Sequence, residues 1–235
     1  VVWVTVSIRK MSLGAGYRYL MSSVARGDGA GLTSSPLTAY YAESGTPPGR
    51  FLGTGLAGLA GGQGVLAGST VTEEHLFRML GMLADPITGQ QLGRSPRTNG
   101  TAHIDRFGRV RKAPRPVGGF DLTFSAPKSV SVAWALGDPR TQAEIYRAHR
   151  RAVEYVIGYA ERTVFSSRSG DGGVAQEDIR GVVAAGFDHW DSRAGDPQLH
   201  THVVVMNRVQ CGDGVWRTLD GRVLFRGHGR TFGVV

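Results

Sequence analysis

Three histidines carry the first chemical signal in this chain of 235 residues. His200 and His202 stand two apart in Gln198-Leu199-His200-Thr201-His202-Val203-Val204-Val205-Met206-Asn207, at the head of an apolar, β-branched run. In a strand, residues i and i+2 share a face. The spacing therefore predicts that both imidazoles point one way and Thr201 the other. His189 closes a second apolar run, Gly181-Val182-Val183-Ala184-Ala185-Gly186-Phe187-Asp188-His189. The turn-rich stretch Asp191-Ser192-Arg193-Ala194-Gly195-Asp196-Pro197 separates the two runs. An antiparallel hairpin would bring His189 level with the pair. Three imidazoles on one face make a metal site, and three protein ligands leave positions open for a substrate, as in catalytic sites. Imidazole suits zinc, copper, nickel and iron and tolerates manganese, so the pattern does not choose the ion. Such an ion can polarise a carbonyl or phosphoryl oxygen. Any one of these histidines alone would read as an isolated surface or core residue.

Asp121 is the candidate for a supporting carboxylate or a base. It lies in the alternating apolar stretch Phe120-Asp121-Leu122-Thr123-Phe124, where a carboxylate is costly unless paired or hydrogen-bonded. A metal-bound histidine commonly donates its second N–H to such a group. The alternative is an aspartate at a strand edge facing water. Tyr17, Tyr19, Tyr40 and Tyr41 cluster near the start. A phenol attacks well only once deprotonated, so a nearby cation or base would be needed. As isolated residues these four read as packing aromatics.

The elements that must hold these residues follow from periodicity and punctuation. Residues 1–8 alternate as a strand. Residues 14–25 suit a helix. Glycine-rich residues 53–68 predict little regular structure, and Thr72-Glu73-Glu74-His75 opens a short helix. Residues 93–115 are polar and basic, readable as a solvated loop or as an arm touching phosphates. Ser125-Ala126-Pro127-Lys128 reads as a helix start with Ser125 as N-cap, and Asp138-Pro139 starts a helix running toward Phe165. That helix carries Ile145, Ala148, Ala152, Val156 and Ala160 on one face. Two histidine-bearing strands and a strand at Trp216 follow. Helices between strands predict an α+β or α/β sheet domain.

Composition narrows the function classes. With 27 Lys+Arg against 19 Asp+Glu the net charge is +8, which suits a polyanion such as nucleic acid. A single cysteine, Cys211, excludes an internal disulfide framework and a cysteine-based zinc finger, and fits a reducing cytoplasm. No apolar run reaches the roughly 18–20 residues of a membrane helix.

Phe120-Asp121-Leu122-Thr123-Phe124-Ser125-Ala126-Pro127-Lys128-Ser129-Val130-Ser131 and Asp196-Pro197-Gln198-Leu199-His200-Thr201-His202 resemble the two signature motifs of TrwC-like (MobF-type) conjugative relaxases, within the HUH endonuclease superfamily. Ala148-His149-Arg150-Arg151-Ala152-Val153 resembles that family's long helix. Tyr40-Tyr41, with Gly49-Arg50-Phe51-Leu52-Gly53, resembles the stretch around its second tyrosine pair. The likeness extends from about residue 5 to residue 220.

The resemblance implies an α+β fold with a central antiparallel sheet flanked by helices. It implies one nicking domain across residues 1–235. The activity implied is metal-dependent, site- and strand-specific nicking and rejoining of single-stranded DNA through a 5′-phosphotyrosine. His189, His200 and His202 would hold one divalent ion, Mg2+ or Mn2+, with Zn2+ or Ni2+ able to occupy the site. Asp121 would orient a histidine and help deprotonate the tyrosine. Tyr19 is the first choice of nucleophile, Tyr17 the next, and Tyr40 the tyrosine of strand transfer. The family's first adjacent tyrosine pair is here Tyr17-Arg18-Tyr19. Lys128 and Arg193 are candidate phosphate contacts. Partners would be origin-of-transfer DNA and accessory relaxosome and coupling proteins, in the cytoplasm and without membrane insertion. No Walker-type phosphate loop is present for a helicase. A bare nicking domain, a truncated product and a fragment all fit. The rivals are a rolling-circle replication initiator, a hydrolase using an activated water, and a degenerate metal- and DNA-binding relic.

Overall fold

A computed structural model describes residues 4–18, 20, 47–96, 103–111, 115–192 and 194–226. In chain order the strands are β1 (Thr5–Ser12), β2 (Arg50–Leu52), β3 (His103–Ile104), β4 (Val110–Arg111), β5 (Val117–Ser125), β6 (Ser167–Ser169), β7 (Ala175–Glu177), β8 (Ile179–Asp191), β9 (Pro197–Cys211) and β10 (Trp216–Arg217). The helices are α1 (Glu73–Leu76), α2 (Lys128–Leu136), α3 (Pro139–Thr163) and α4 (Gly221–Arg226).

β9 lies inside a sheet ordered β1-β5-β9-β8-β2, with β10 also pairing β9. Every neighbouring pair is antiparallel. Both faces of the sheet are covered, which explains why β8 and β9 are near-continuous apolar runs. On one face Phe187, Val204 and Met206 pack with Phe51, Leu76, Met79 and Leu80. On the other, Phe120, Phe124, Val203 and Val205 meet Val153, Val156 and Ile157 of α3. Gly53 turns the chain out of β2 at φ +98°, and a Cβ there would sit 2.2 Å from the Val182 carbonyl oxygen. Only glycine tolerates both conditions.

α3 starts as its sequence predicts. The Asp138 side chain accepts from the Arg140 and Thr141 N–H groups, and proline occupies the first position. Its buried face contains Ala152, Val156 and Ala160 as expected, and adds His149, Val153 and Ile157. α2 departs from expectation. Ser125 is not its cap, because Ser125 still pairs with His200 in β9 and with Thr5 in β1. Pro127 is the N-cap instead, in an extended conformation. Thr72 caps α1 by accepting from the His75 N–H, and His75 Nδ1 accepts in return from the Thr72 N–H.

The expected helix over 14–25 begins as a 3-10 turn at Ala15–Tyr17 and is helical at Arg18 and Leu20, with residues 19 and 21–25 outside those described. The expected strand over 1–8 is displaced toward Ser12. The glycine-rich stretch holds 3-10 turns at Thr54–Gly58 and Ala60–Gly62. The basic stretch over 93–115 contains the β3–β4 hairpin, turned at Asp105–Gly108. Among the described residues no helix is long and apolar enough to cross a membrane.

Candidate metal centre

β8 and β9 pair so that His189 stands opposite His200 and Phe187 opposite His202. The three imidazoles therefore share one sheet face, at the end of the core formed by Phe187, Val204 and Met206. Their ring centroids lie 5.1 Å (His189–His200), 5.3 Å (His189–His202) and 5.3 Å (His200–His202) apart. A ring bound through nitrogen at about 2.1 Å has its centroid roughly 3.2 Å from the ion, so three rings at tetrahedral angles stand roughly 5.2 Å apart. The observed separations match. Among the described residues no three His, Cys, Asp or Glu side chains stand as a finished coordination cage. Backbone register sets the ring positions, whereas the direction of each nitrogen depends on χ2, a soft torsion in histidine. Three imidazoles at these separations are a donor set that suits a metal ion.

The supporting contacts point the same way. Nδ1 of His200 lies 2.8 Å from the Gln198 carbonyl oxygen. Nδ1 of His202 lies 3.0 Å from Asp121 Oδ1, 3.1 Å from Oδ2 and 3.1 Å from Thr123 Oγ1. With Nδ1–H donating to those acceptors, Nε2 keeps the lone pair a metal needs. Burial, and then the neighbouring His200 and His202, push His189 down to about 3. Burial also lowers His200, partly opposed by the Gln198 carbonyl. Both rings are neutral at pH 7, the ligating form.

Asp121 is buried, so the water-facing alternative is excluded. Its strand pairs with β9 in the register Asp121↔Val204 and Thr123↔His202, which sets the carboxylate diagonally from His202.

The TrwC relaxase family model matches residues 13–233. The chain belongs to the TrwC relaxase family. The multifunctional conjugation protein TraI of Escherichia coli is 36% identical over 173 residues, covering 66% of this chain and 9% of that protein. A copper-bound structure of conjugative relaxase TrwC with oriT DNA shares 30% identity at a TM-score of 0.62, over 93% of this chain and 64% of that one. A metal-bound TrwC–oriT structure shares 26% at a TM-score of 0.63, over 94% and 63%. This relaxase chain thus spans about a tenth of the TraI sequences and under two thirds of the TrwC chains. The α+β antiparallel fold expected from the motifs is the fold of these TrwC structures.

Elsewhere in the relaxase, the expected site residues separate. Lys128 Nζ lies 3.6 Å from Asp196 Oδ2, both exposed, linking the start of α2 to the turn between the histidine strands. Such a pair is weak and open to competition by phosphate. Tyr17 is buried in the apolar core, its ring centroid 6.2 Å from that of the exposed Phe77. Tyr19, Tyr40 and Arg193 lie outside the described residues.

A polar group on the other sheet face escaped the sequence reading. Asp188 accepts from Arg50 (2.5 Å), Tyr146 (2.7 Å) and Thr201 (2.6 Å). Nε2 of His149 lies 2.9 Å from Thr201 Oγ1. The available signal was an aspartate inside an apolar run, the same signal that singled out Asp121.

Proposed function

We propose that this chain is the nicking domain of a conjugative relaxase, cutting and rejoining one strand of origin-of-transfer DNA through a 5′-phosphotyrosine. The convergence of His189, His200 and His202, with Asp121 on His202, carries this reading. Family membership, and the TrwC relatives solved with oriT DNA and with metal, support it. The net charge of +8 suits a polyanionic substrate. The six-stranded sheet with a core on each face supports one nicking domain across 1–235.

His189, His200 and His202 would hold one divalent ion, with Mg2+ or Mn2+ the proposed occupant and Zn2+ or Ni2+ able to substitute. When bound, the ion supplies Lewis acidity at a phosphoryl oxygen. The chain's own residues do the rest. Asp121 holds the His202 ring in one tautomer and rotation, and its carboxylate is the proposed aid to tyrosine deprotonation. A tyrosine hydroxyl attacks phosphorus. The O–P bond to the tyrosine forms as the bond to the 3′ oxygen breaks, and the tyrosine's proton ends on that 3′ oxygen. One phosphodiester is exchanged for another, so the strand can be rejoined. Tyr19 is the proposed first nucleophile and Tyr40 the tyrosine of strand transfer. Lys128 and Arg193 are proposed phosphate contacts, and relaxosome and coupling proteins the proposed partners.

The test is incubation with labelled single-stranded oligonucleotides from the DNA flanking its own coding sequence, with Mn2+ or Mg2+. An SDS-resistant adduct with release of a free 3′-hydroxyl fragment is expected. Cleavage without an adduct would mean a hydrolase, and binding without cleavage a relic.

A further inference from the structure

The histidine face of the β8–β9 hairpin has a counterpart on its reverse. Asp188 and Thr201 face each other across the two strands, one step from the His189–His200 pair. Both are fully buried on the α3 side of the sheet. The Thr201 hydroxyl donates to Asp188 Oδ1, while Arg50 of β2 and Tyr146 of α3 donate to Oδ2. His149 of α3 completes the group through Nε2 at Thr201 Oγ1. Since that hydroxyl's proton points at Asp188, the His149 Nε2–H must donate to it. Nδ1 of His149 then keeps its lone pair, and it meets no partner among the described residues. Two elements besides the hairpin's own β9 partner, β2 and α3, thus converge on one carboxylate.

The ladder needs such a lock. The register is regular from Ala184↔Val205 to His189↔His200, but it shifts on both sides, between Val182 and Ala184 and again between His189 and Asp191. A one-residue slip turns every side chain of a strand to the opposite face. Here a slip would turn His189 away from His200 and His202. It would also drag a buried carboxylate away from its donors, which is costly.

We propose that Asp188 and Thr201 are positioning residues for the metal centre, fixing the register and tilt of β8 on β9 so that His189 meets His200 and His202. The inference rests on the metal reading of the three histidines. Both residues are buried on the face opposite the three imidazoles, so they act through the strands that carry them.

The test compares Co2+ binding, by titration and visible absorption, in the wild type and in Thr201→Val, Thr201→Ser and Tyr146→Phe. Thr201→Val keeps shape and loses the hydroxyl, Thr201→Ser keeps the hydroxyl, and Tyr146→Phe loses one donor to Asp188. Thr201→Val is expected to weaken Co2+ binding about tenfold and to shift the absorption toward fewer nitrogen ligands. Thr201→Ser should restore wild-type affinity and spectrum. Tyr146→Phe should weaken binding by about threefold, less than the roughly 10- to 100-fold typical of a direct partner of a ligand. An unchanged Co2+ affinity and spectrum in folded Thr201→Val would overturn the proposal. If Thr201→Val does not fold, unchanged Co2+ binding by Tyr146→Phe overturns it instead. A wild type that binds no Co2+ through histidine would sink the metal reading itself, an outcome distinct from equal binding by all variants.

Discussion

The Asp121 carboxylate stands 3.0 Å from Nδ1 of His202, across two paired strands and 81 residues of sequence. It is buried, and so is most of the ring it faces. The imidazole N–H answers the charge in that position. The pair fixes which nitrogen of His202 is left for a metal ion.

Replacing Asp121 with asparagine tests that pair. Asn can present an oxygen to Nδ1 but carries no charge, and its amide can equally turn an N–H toward the ring. Metal affinity is expected to fall about 10- to 100-fold, with nicking falling in parallel at limiting metal. Calorimetric titration with Mn2+ or Ni2+ reads the effect. An affinity equal to wild type would show that Asp121 does not support the ligand.

Substitution separates the two candidate tyrosines. Tyr17 is buried in the core beside the exposed Phe77, and Tyr17→Phe should leave adduct formation intact. Tyr17→Ala should destabilise the fold by about 3 kcal/mol, as loss of a large buried aromatic does. Tyr19→Phe should abolish the first covalent adduct. An adduct that persists in Tyr19→Phe and disappears in Tyr17→Phe would reverse the assignment.

Acid should weaken the metal-free fold before most carboxylates titrate. Burial holds His149 down to about 4, and His189 down to about 3. Unfolded, each returns to about 6.5. Below pH 6.5 the unfolded chain therefore binds protons that the native protein refuses. Their contribution is fully present above pH 6.5 and is lost as pH falls toward the folded values. The loss approaches about 1.4 kcal/mol per pH unit for each such histidine. Urea unfolding in EDTA at pH 7 and pH 5 measures it, and a flat stability over that range would contradict the burial of these rings.

Binding to single-stranded DNA should depend steeply on salt. A net charge of +8 implies release of condensed counterions on binding. Three phosphate contacts alone would cost more than about tenfold in affinity between 50 and 200 mM salt. Fluorescence anisotropy with a labelled oligonucleotide at several salt concentrations gives the slope. A slope near zero would remove phosphate contact as the basis of binding. Lys128→Ala should flatten it slightly if Lys128 exchanges Asp196 for a phosphate.

What could be read without coordinates was whatever depends on local period and local punctuation. Two-residue alternation placed His200 and His202 on one face, and the structure keeps them there. Asp138 and Pro139 announced α3, and Asp138 caps it. Ser125 misled because a serine before Ala-Pro suits both a cap and a strand end. Pairing with His200 and Thr5 decided in favour of the strand. The β3–β4 hairpin in the basic stretch was hidden because its strands are two residues each, too short to show a period.

By itself the sequence determined the ligand types, their shared face and the family motifs, because strand alternation and motif spacing are properties of neighbouring residues. Only the tertiary structure decided that His189 meets His200, that Asp121 answers His202 and that Asp188 gathers Arg50, Tyr146 and Thr201 behind them. Those contacts join residues from 11 to 138 positions apart. They depend on how β2, β5, β8, β9 and α3 pair and pack, and strand register and helix docking are set by burial of the whole sheet rather than by any local run of residues.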